Sequence, residues 1–279
     1  MKSLLSADFA RLKRDKFFWL SVAAMLIYTV YKAVSFYKPE TIEDFDPILH
    51  HWSRYYFDAV SVFPLICAIF ISLYVCKDFD HKTVRNKAIA GHSKAAVYLS
   101  YLGMSFAGSV LIYIAMLIGG LVNIPLYGTP EPREYNVEVY IIIGLFTALS
   151  VASAYTFISM LSGSRVKALI ASVIVFFAAL LILNQVCIPI GEPQFLDEGY
   201  MILDGVKVEL PKENPNPKYV DGALRTLLEC IAEFFPSGNA VLLLNRMVVN
   251  PIREIALSLI FTLVTTLGGI FAFGKKDMR

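Results

Sequence analysis

The sequence predicts an all-α, polytopic membrane protein with six transmembrane helices. Three observations carry that prediction. Of its 279 residues, 57% are hydrophobic and only 17% are charged, with a mean hydropathy of +0.60. A soluble domain of this size carries roughly a quarter charged residues. The shortage is concentrated in six apolar runs, at about 17–37, 58–76, 97–123, 138–161, 167–190 and 254–274. Each is close to the roughly 20 residues that a helix needs to cross a hydrocarbon core of about 30 Å. None alternates with period two, so an outer-membrane barrel is excluded. The third observation is that the basic residues are sorted into alternate connections.

Six spans place both termini on one side. That side holds fifteen of the 25 basic residues and five of the 23 acidic ones, a net charge of +10, against −8 on the other side. By the positive-inside rule the termini, 77–96 and the turn at 161–167 are cytoplasmic. The acidic loops, including the large 191–253 segment, face out.

The elements follow in order. Residues 3–16 form an amphipathic interfacial helix. Leu5, Phe9 and Leu12 share a stripe, and Lys13 and Arg14 lie off it. These first residues are too long and too charged for a signal-peptide n-region. The loop 38–57 is rich in aromatics, and its His50–His51 pair lacks matching ligands, so an interfacial belt is expected there and not a metal site. Between the second and third runs lies KDFDHKTVRNKAIAGHSK. It predicts a short helix over Val84–Ala90, capped by Thr83 and ended by Gly91, with Lys82, Arg85 and Lys87 facing the cytoplasm.

A proline-rich turn fills 124–137, and LSGSRVK at 161–167 is a tight link. In 191–253, MILDGVKVEL predicts a hairpin about Asp204-Gly205. Leu224, Leu227, Leu228 and Ile231 then mark an amphipathic helix, broken at Pro236-Ser237-Gly238, that lies on the outer interface or caps the spans. Cys187 and Cys230 are candidates for a disulfide or for two free thiols.

No ionisable residue sits near the middle of a predicted span, which disfavours an ion-coupled carrier. GIFAFGKK at 269–276 imitates a phosphate-binding loop. It lacks the Ser/Thr that would hold magnesium, and it ends an apolar helix whose amides are already bonded. No other nucleotide-binding or hydrolase motif is present, so an enzyme reading is poor. Two stripes of small and hydroxyl residues run along the spans: Ser258, Thr262, Thr265 and Gly269, and Ala148, Ala152, Tyr155 and Ser159. They read first as helix seams. Ser258, Thr262, Thr265 and Ser159 are also candidates to line a transport path.

The patterns LLSADFARLKRDKFFW, DFDHKTVRNKAIAGHSKAAVYLS, FFPSGNAVLLL and GKKDMR, in that order along the chain, resemble the membrane subunits of type-2 ATP-binding-cassette (ABC) transporters. The resemblance implies that 3–16, with Leu5, Phe9, Leu12 and Arg14, is an elbow helix on the inner membrane surface. It implies that 79–91 is a coupling helix docked on a separate ATPase, through Phe79, Asp80, Thr83, Val84, Arg85, Lys87, Ile89 and Gly91. Arg165 would add a second contact.

ATP and magnesium would then be held by the partner ATPase, in two copies, and this chain would hold no cofactor or metal. A second permease subunit, like or unlike, would complete the path. Membrane lipids but no nucleic acid would be partners, and the plasma membrane of a bacterium would be the location. Export of an amphipathic or hydrophobic substrate such as a peptide is the expected activity. The alternative is a membrane-anchored sensor or immunity protein whose extracellular loop 191–253 binds a ligand.

Overall fold

The computed structural model describes residues 2–35, 56–81, 83–127, 137–196, 200–203, 206–209 and 214–276. It is nearly all helical. The His50–His51 pair, Lys82, Asp204-Gly205 and the last three residues lie outside the described residues.

Helix α1 (Lys2–Arg14) carries Arg11, Lys13 and Arg14 in its last turn, where cations complement the helix dipole. Its buried seam is Leu4, Asp8 and Leu12. Of the predicted stripe, Leu12 is part of this seam, Leu5 is half-buried and Phe9 is 44% exposed. Asp8 takes the place expected for an apolar residue because it is the helix's anchor to the bundle, as described below. Asp15 separates α1 from α2 (Lys16–Ser35). It accepts the backbone N–H groups of Phe17 and Phe18 at 2.9 and 3.2 Å and so caps α2.

A 3-10 turn (Asp58–Ser61) leads into α3 (Phe63–Asp80), which has Pro64 in its first turn, where the missing N–H costs nothing. The short α4 (Thr83–Ile89) follows, and Gly91 ends it at φ +89°, a conformation that disfavours other residues. The predicted coupling element is thus split, with Phe79 and Asp80 finishing α3. Ser93 caps α5 (Lys94–Gly120) by accepting the Ala96 N–H at 3.2 Å. Next come α6 (Asn123–Tyr127), α7 (Val137–Ser162) and α8 (Arg165–Gly191).

Four short strands follow. β1 (Phe195–Leu196) pairs antiparallel with β4 (Asn214–Pro215), and β2 (Tyr200–Leu203) pairs with β3 (Val206–Glu209) in the expected hairpin register. Helices α9 (Gly222–Phe234) and α10 (Pro236–Asn245) are bent by 109° at Phe235, as in a broken span or a re-entrant loop. Asn250 caps the final helix, α11 (Pro251–Lys275).

Among the described residues, five stretches are long and apolar enough to cross a membrane: α2, Lys94–Leu126, α7, α8 and α11. The α9–α10 pair qualifies as a sixth only if the two halves form one span. The second predicted span corresponds to α3. It falls outside the set because Lys77, Asp78 and Asp80 occupy its last turn.

α7 is the hub, packed against α3, α5, α8, α10 and α11. About half of α5 and α7 is buried, against about a fifth of α8 and α11. The outer helices expose rows such as Ile170, Ile174, Phe177 and Leu181, as a chain surrounded by lipid should.

The seam between α7 and α11 is polar. Ser150 bonds Thr262 at 3.1 Å and the Ser258 carbonyl at 2.9 Å, and Thr265 donates to Ser153 at 2.8 Å. Thr262 and Thr265 also donate to carbonyls one turn back, so neither of these two hydroxyls faces hydrocarbon bare. Further along α11, Gly269 lies against the buried Tyr98 phenol, close enough that a Cβ would overlap it. Gly269→Ala should therefore overpack the α5–α11 contact and cost about 1–3 kcal/mol. The expected result is a lower unfolding midpoint in detergent micelles, largely restored when Tyr98→Leu is added.

Candidate functional site

The segments rich in basic residues meet at one end of the bundle. Lys94 donates to the Gly274 and Lys276 carbonyls at 2.9 and 2.8 Å, closing the end of α11. Lys276 donates to the Met160 and Leu161 carbonyls at 2.9 and 2.8 Å, closing the end of α7. Cations suit such positions because the last carbonyls of a helix lack partners within it. Burial lowers the pKa of Lys276. Arg165 pairs with Asp80 at 2.6 Å, tying the turn before α8 to the end of α3.

Beneath this end lies a buried charge square. Its acids are Asp8 on α1 and Asp78 on α3, 2% and 3% exposed. Its bases are Arg11 on α1 and Lys87 on α4. Lys87 Nζ donates to both Asp8 oxygens at 2.8 and 2.9 Å and to the Tyr101 hydroxyl at 3.0 Å. Arg11 donates to Asp78, as does the Tyr101 hydroxyl. The Ser100 hydroxyl donates to Asp8 at 2.6 Å, and the Tyr74 hydroxyl donates to the Asp8 backbone carbonyl at 3.1 Å. Burial opposes the Arg11 charge, but Tyr74, Asp78 and Tyr101 around it outweigh that and hold its pKa above the ordinary value. Just outside the square, Lys77 pairs with Asp15 at 3.1 Å.

This arrangement sorts the coupling candidates. Val84 is buried under α4, and Lys87 turns inward with its side chain only 11% exposed. Lys87 thus departs from the expectation that it faces outward, because two buried carboxylates need its charge. Arg85 and Asn86 are exposed, and Ile89 is 74% exposed. Thr83 is half-buried at the helix start, and Gly91 is exposed past its end. Phe79 stands edge-on to Phe273 with centroids 6.4 Å apart, and Lys276 lies over its ring at 4.9 Å. Arg14 of α1 is exposed beyond the square. Sequence reasoning missed Asp8, Arg11, Asp78 and Tyr101. The available signal was an acid on the Leu4–Leu12 face of an otherwise basic helix.

A second feature lies under the α9–α10 bend. A cavity of about 310 Å³ is lined by Tyr155, Phe157, Val175, Ala179, Phe235 and Phe261, among others. Phe234 and Phe235 at the bend contact the Phe261 ring at 5.3 and 6.1 Å. Phe261 lies roughly ten residues into α11, a rise of ~15 Å and half the depth of a typical hydrocarbon core. Of the path-lining candidates, only Thr265 reaches this cavity. Ser258 bonds Asn239 at 2.7 Å, Thr262 bonds Ser150, and Ser159 is buried beside Cys76, whose thiol meets the Ser159 carbonyl at 3.4 Å. Ser258 and Thr262 close helix contacts, the Ser159 hydroxyl is buried without a hydrogen-bond partner among the described residues, and none of the three lines this cavity.

Helix α9 is tied to α11 by charge. Arg225, Glu229, Arg253 and Glu233 alternate in sign, with pairs at 3.2, 2.7 and 2.6 Å. That chain explains why α9 turns its polar face inward and leaves Leu224 and Leu227 about half exposed, opposite to a soluble amphipathic helix. Cys187 and Cys230 are free thiols.

Among known proteins, a family model described as ABC-2 family transporter protein matches residues 4–179. The matched stretch contains the charge square and all of α4. No curated protein matches the chain.

Lys87→Met should leave two buried carboxylates sharing one base, and losing one partner of a buried pair costs about 3–5 kcal/mol. Arg85→Met on the outer face should stay within about 0.5 kcal/mol. Thermal unfolding of the purified full-length variants distinguishes the two positions.

Proposed function

The chain belongs to the ABC-2 family of transporter proteins, and from that premise we propose that it carries cargo across the membrane with force received from a separate ATPase through α4. It is a transmembrane subunit of an ABC transporter, and such permease subunits are not the ATPase. The observation that carries the coupling reading is the construction of α4. Its back is clamped by Val84 and Lys87, while Arg85, Asn86 and Ile89 point away from the bundle with nothing over them among the described residues. A seven-residue helix gains too little on its own to be stable in water. Held from behind, it is a rigid knob that transmits displacement without bending.

On this reading α1 is the elbow helix at the inner surface, both termini are cytoplasmic, and the Asp80–Arg165 pair carries a second contact. Two ATPase copies bind two permease subunits. ATP-driven closure of the ATPases moves the spans as rigid bodies. The apolar walls of the cavity beneath the α9–α10 bend support an amphipathic or hydrophobic cargo, and export is the direction we assign.

Arg85→Glu combined with Ile89→Asp places two acids on the knob without touching its anchor. The pair should reduce the ATPase recovered with tagged permease at least tenfold, with the unfolding midpoint unchanged. Full recovery of the ATPase would refute the role of α4.

A further inference from the structure

The square has a second way to pair. In the structure Lys87 serves Asp8, and Arg11 serves Asp78. The crossed distances, Lys87 to Asp78 and Arg11 to Asp8, are both 3.8 Å. Each base therefore stands within ion-pairing reach of both acids. Closing the crossed contacts to an ordinary 2.7–2.9 Å requires only side-chain motion of two long, flexible residues. Both pairings leave two acids and two bases matched one to one, so neither end state strands a buried charge.

The two pairings differ in what they connect. The observed one ties α1 to α4 through Lys87–Asp8 and ties α1 to α3 through Arg11–Asp78. The crossed one pairs Arg11 with Asp8 three residues away in the same helix, and pairs Lys87 with Asp78 on the segment just before α4. Both inter-element ion pairs of α1 within the square are then gone. The acids are held in place for either pairing, Asp8 by Ser100 and Asp78 by Tyr101. Tyr101 also accepts from Lys87 at 3.0 Å, so Lys87 already reaches Asp78 through one hydroxyl.

We propose that Asp8, Arg11, Asp78 and Lys87 exchange partners, and that the exchange engages or releases α1 from α4 during the transport cycle. This rests on the reading of α4 as the ATPase contact: a push on Arg85 and Ile89 moves Lys87, which shares their helix. The four are positioning residues; none touches cargo or nucleotide.

The test separates an exchanging square from a static clamp. In Asp8→Lys with Lys87→Asp, the direct pair between α1 and α4 survives with its sign reversed. The crossed pairing would set acid against acid at 78 and 87, and base against base at 8 and 11, so exchange is blocked. Spin labels on Ala10→Cys and Ala90→Cys, both exposed, report the distance between α1 and the end of α4. They are read in the complex with its co-purified ATPase in liposomes, nucleotide-free and then trapped with ATP and vanadate.

The unswapped square should shift its distance distribution on trapping, and the swapped square should keep the nucleotide-free distribution. If the swapped protein does not accumulate, Arg11→Gln removes the cation that would take Asp8 from Lys87 and should likewise abolish the shift. A shift equal to that of the unswapped square in either variant, or no shift in the unswapped complex, overturns the exchange while leaving the coupling reading intact. Failure of any ATPase to co-purify with the unswapped chain overturns both.

Discussion

Two carboxylates that cannot reach water set the geometry of the basic end of this molecule. An unpaired buried charge is so costly that Asp8 and Asp78 must each find a cation, and the cations available lie on different elements. Meeting that requirement brings the N-terminal helix, the end of α3, the short α4 and the start of α5 to one point. Tyr74, Ser100 and Tyr101 add hydrogen bonds to the two aspartates. Remove this constraint and α4 has little to hold it, because seven residues cannot sustain a helix alone. The exposed face of α4 is thus usable as a contact because its hidden face is fixed.

The same rule, applied in hydrocarbon, explains the rest of the bundle. Between α7 and α11 no hydrophobic gain drives association, since lipid is as apolar as the side chains. Packing and hydroxyl bonds take over, and Ser150, Ser153, Thr262 and Thr265 stitch the seam. At the opposite end the alternating Arg225–Glu229–Arg253–Glu233 chain turns the polar face of α9 inward and presents its leucines outward. The bend at Phe235 then carries its aromatic tip down to Phe261, over the apolar cavity. A charged mooring at one end and a charged clamp at the other leave the middle of the bundle apolar.

Much of the fold was legible in advance because the signals are one-dimensional. Span length follows from bilayer thickness, so five of the six apolar runs reappear as helices of spanning length, and the sixth as α3. The strand register about 204–205 and the end of α4 at Gly91 follow from local backbone preference. The apolar stripe on α9 is also a local signal, and Leu224 and Leu227 on it are about half exposed. The burial of Asp8 beside Leu4 and Leu12 on α1 was not legible, because its cation Lys87 lies far along the chain. Lys87 was placed outward because sequence shows its charge and not the acids, one at position 8 and one at 78, that would claim it.

By itself the sequence determined that the chain lives in a membrane, roughly where its long apolar helices run, and which segments are basic, because each of these depends on residues close together along the chain. Only the tertiary structure decided which basic residues are anchors and which are free to meet a partner. It also decided that Ser150, Ser153, Thr262 and Thr265 bond across the α7–α11 seam, and that the bend between α9 and α10 meets the middle of α11. Those outcomes depend on ion pairs and hydrogen bonds between residues up to a hundred or more positions apart, and no local pattern encodes the distance between them.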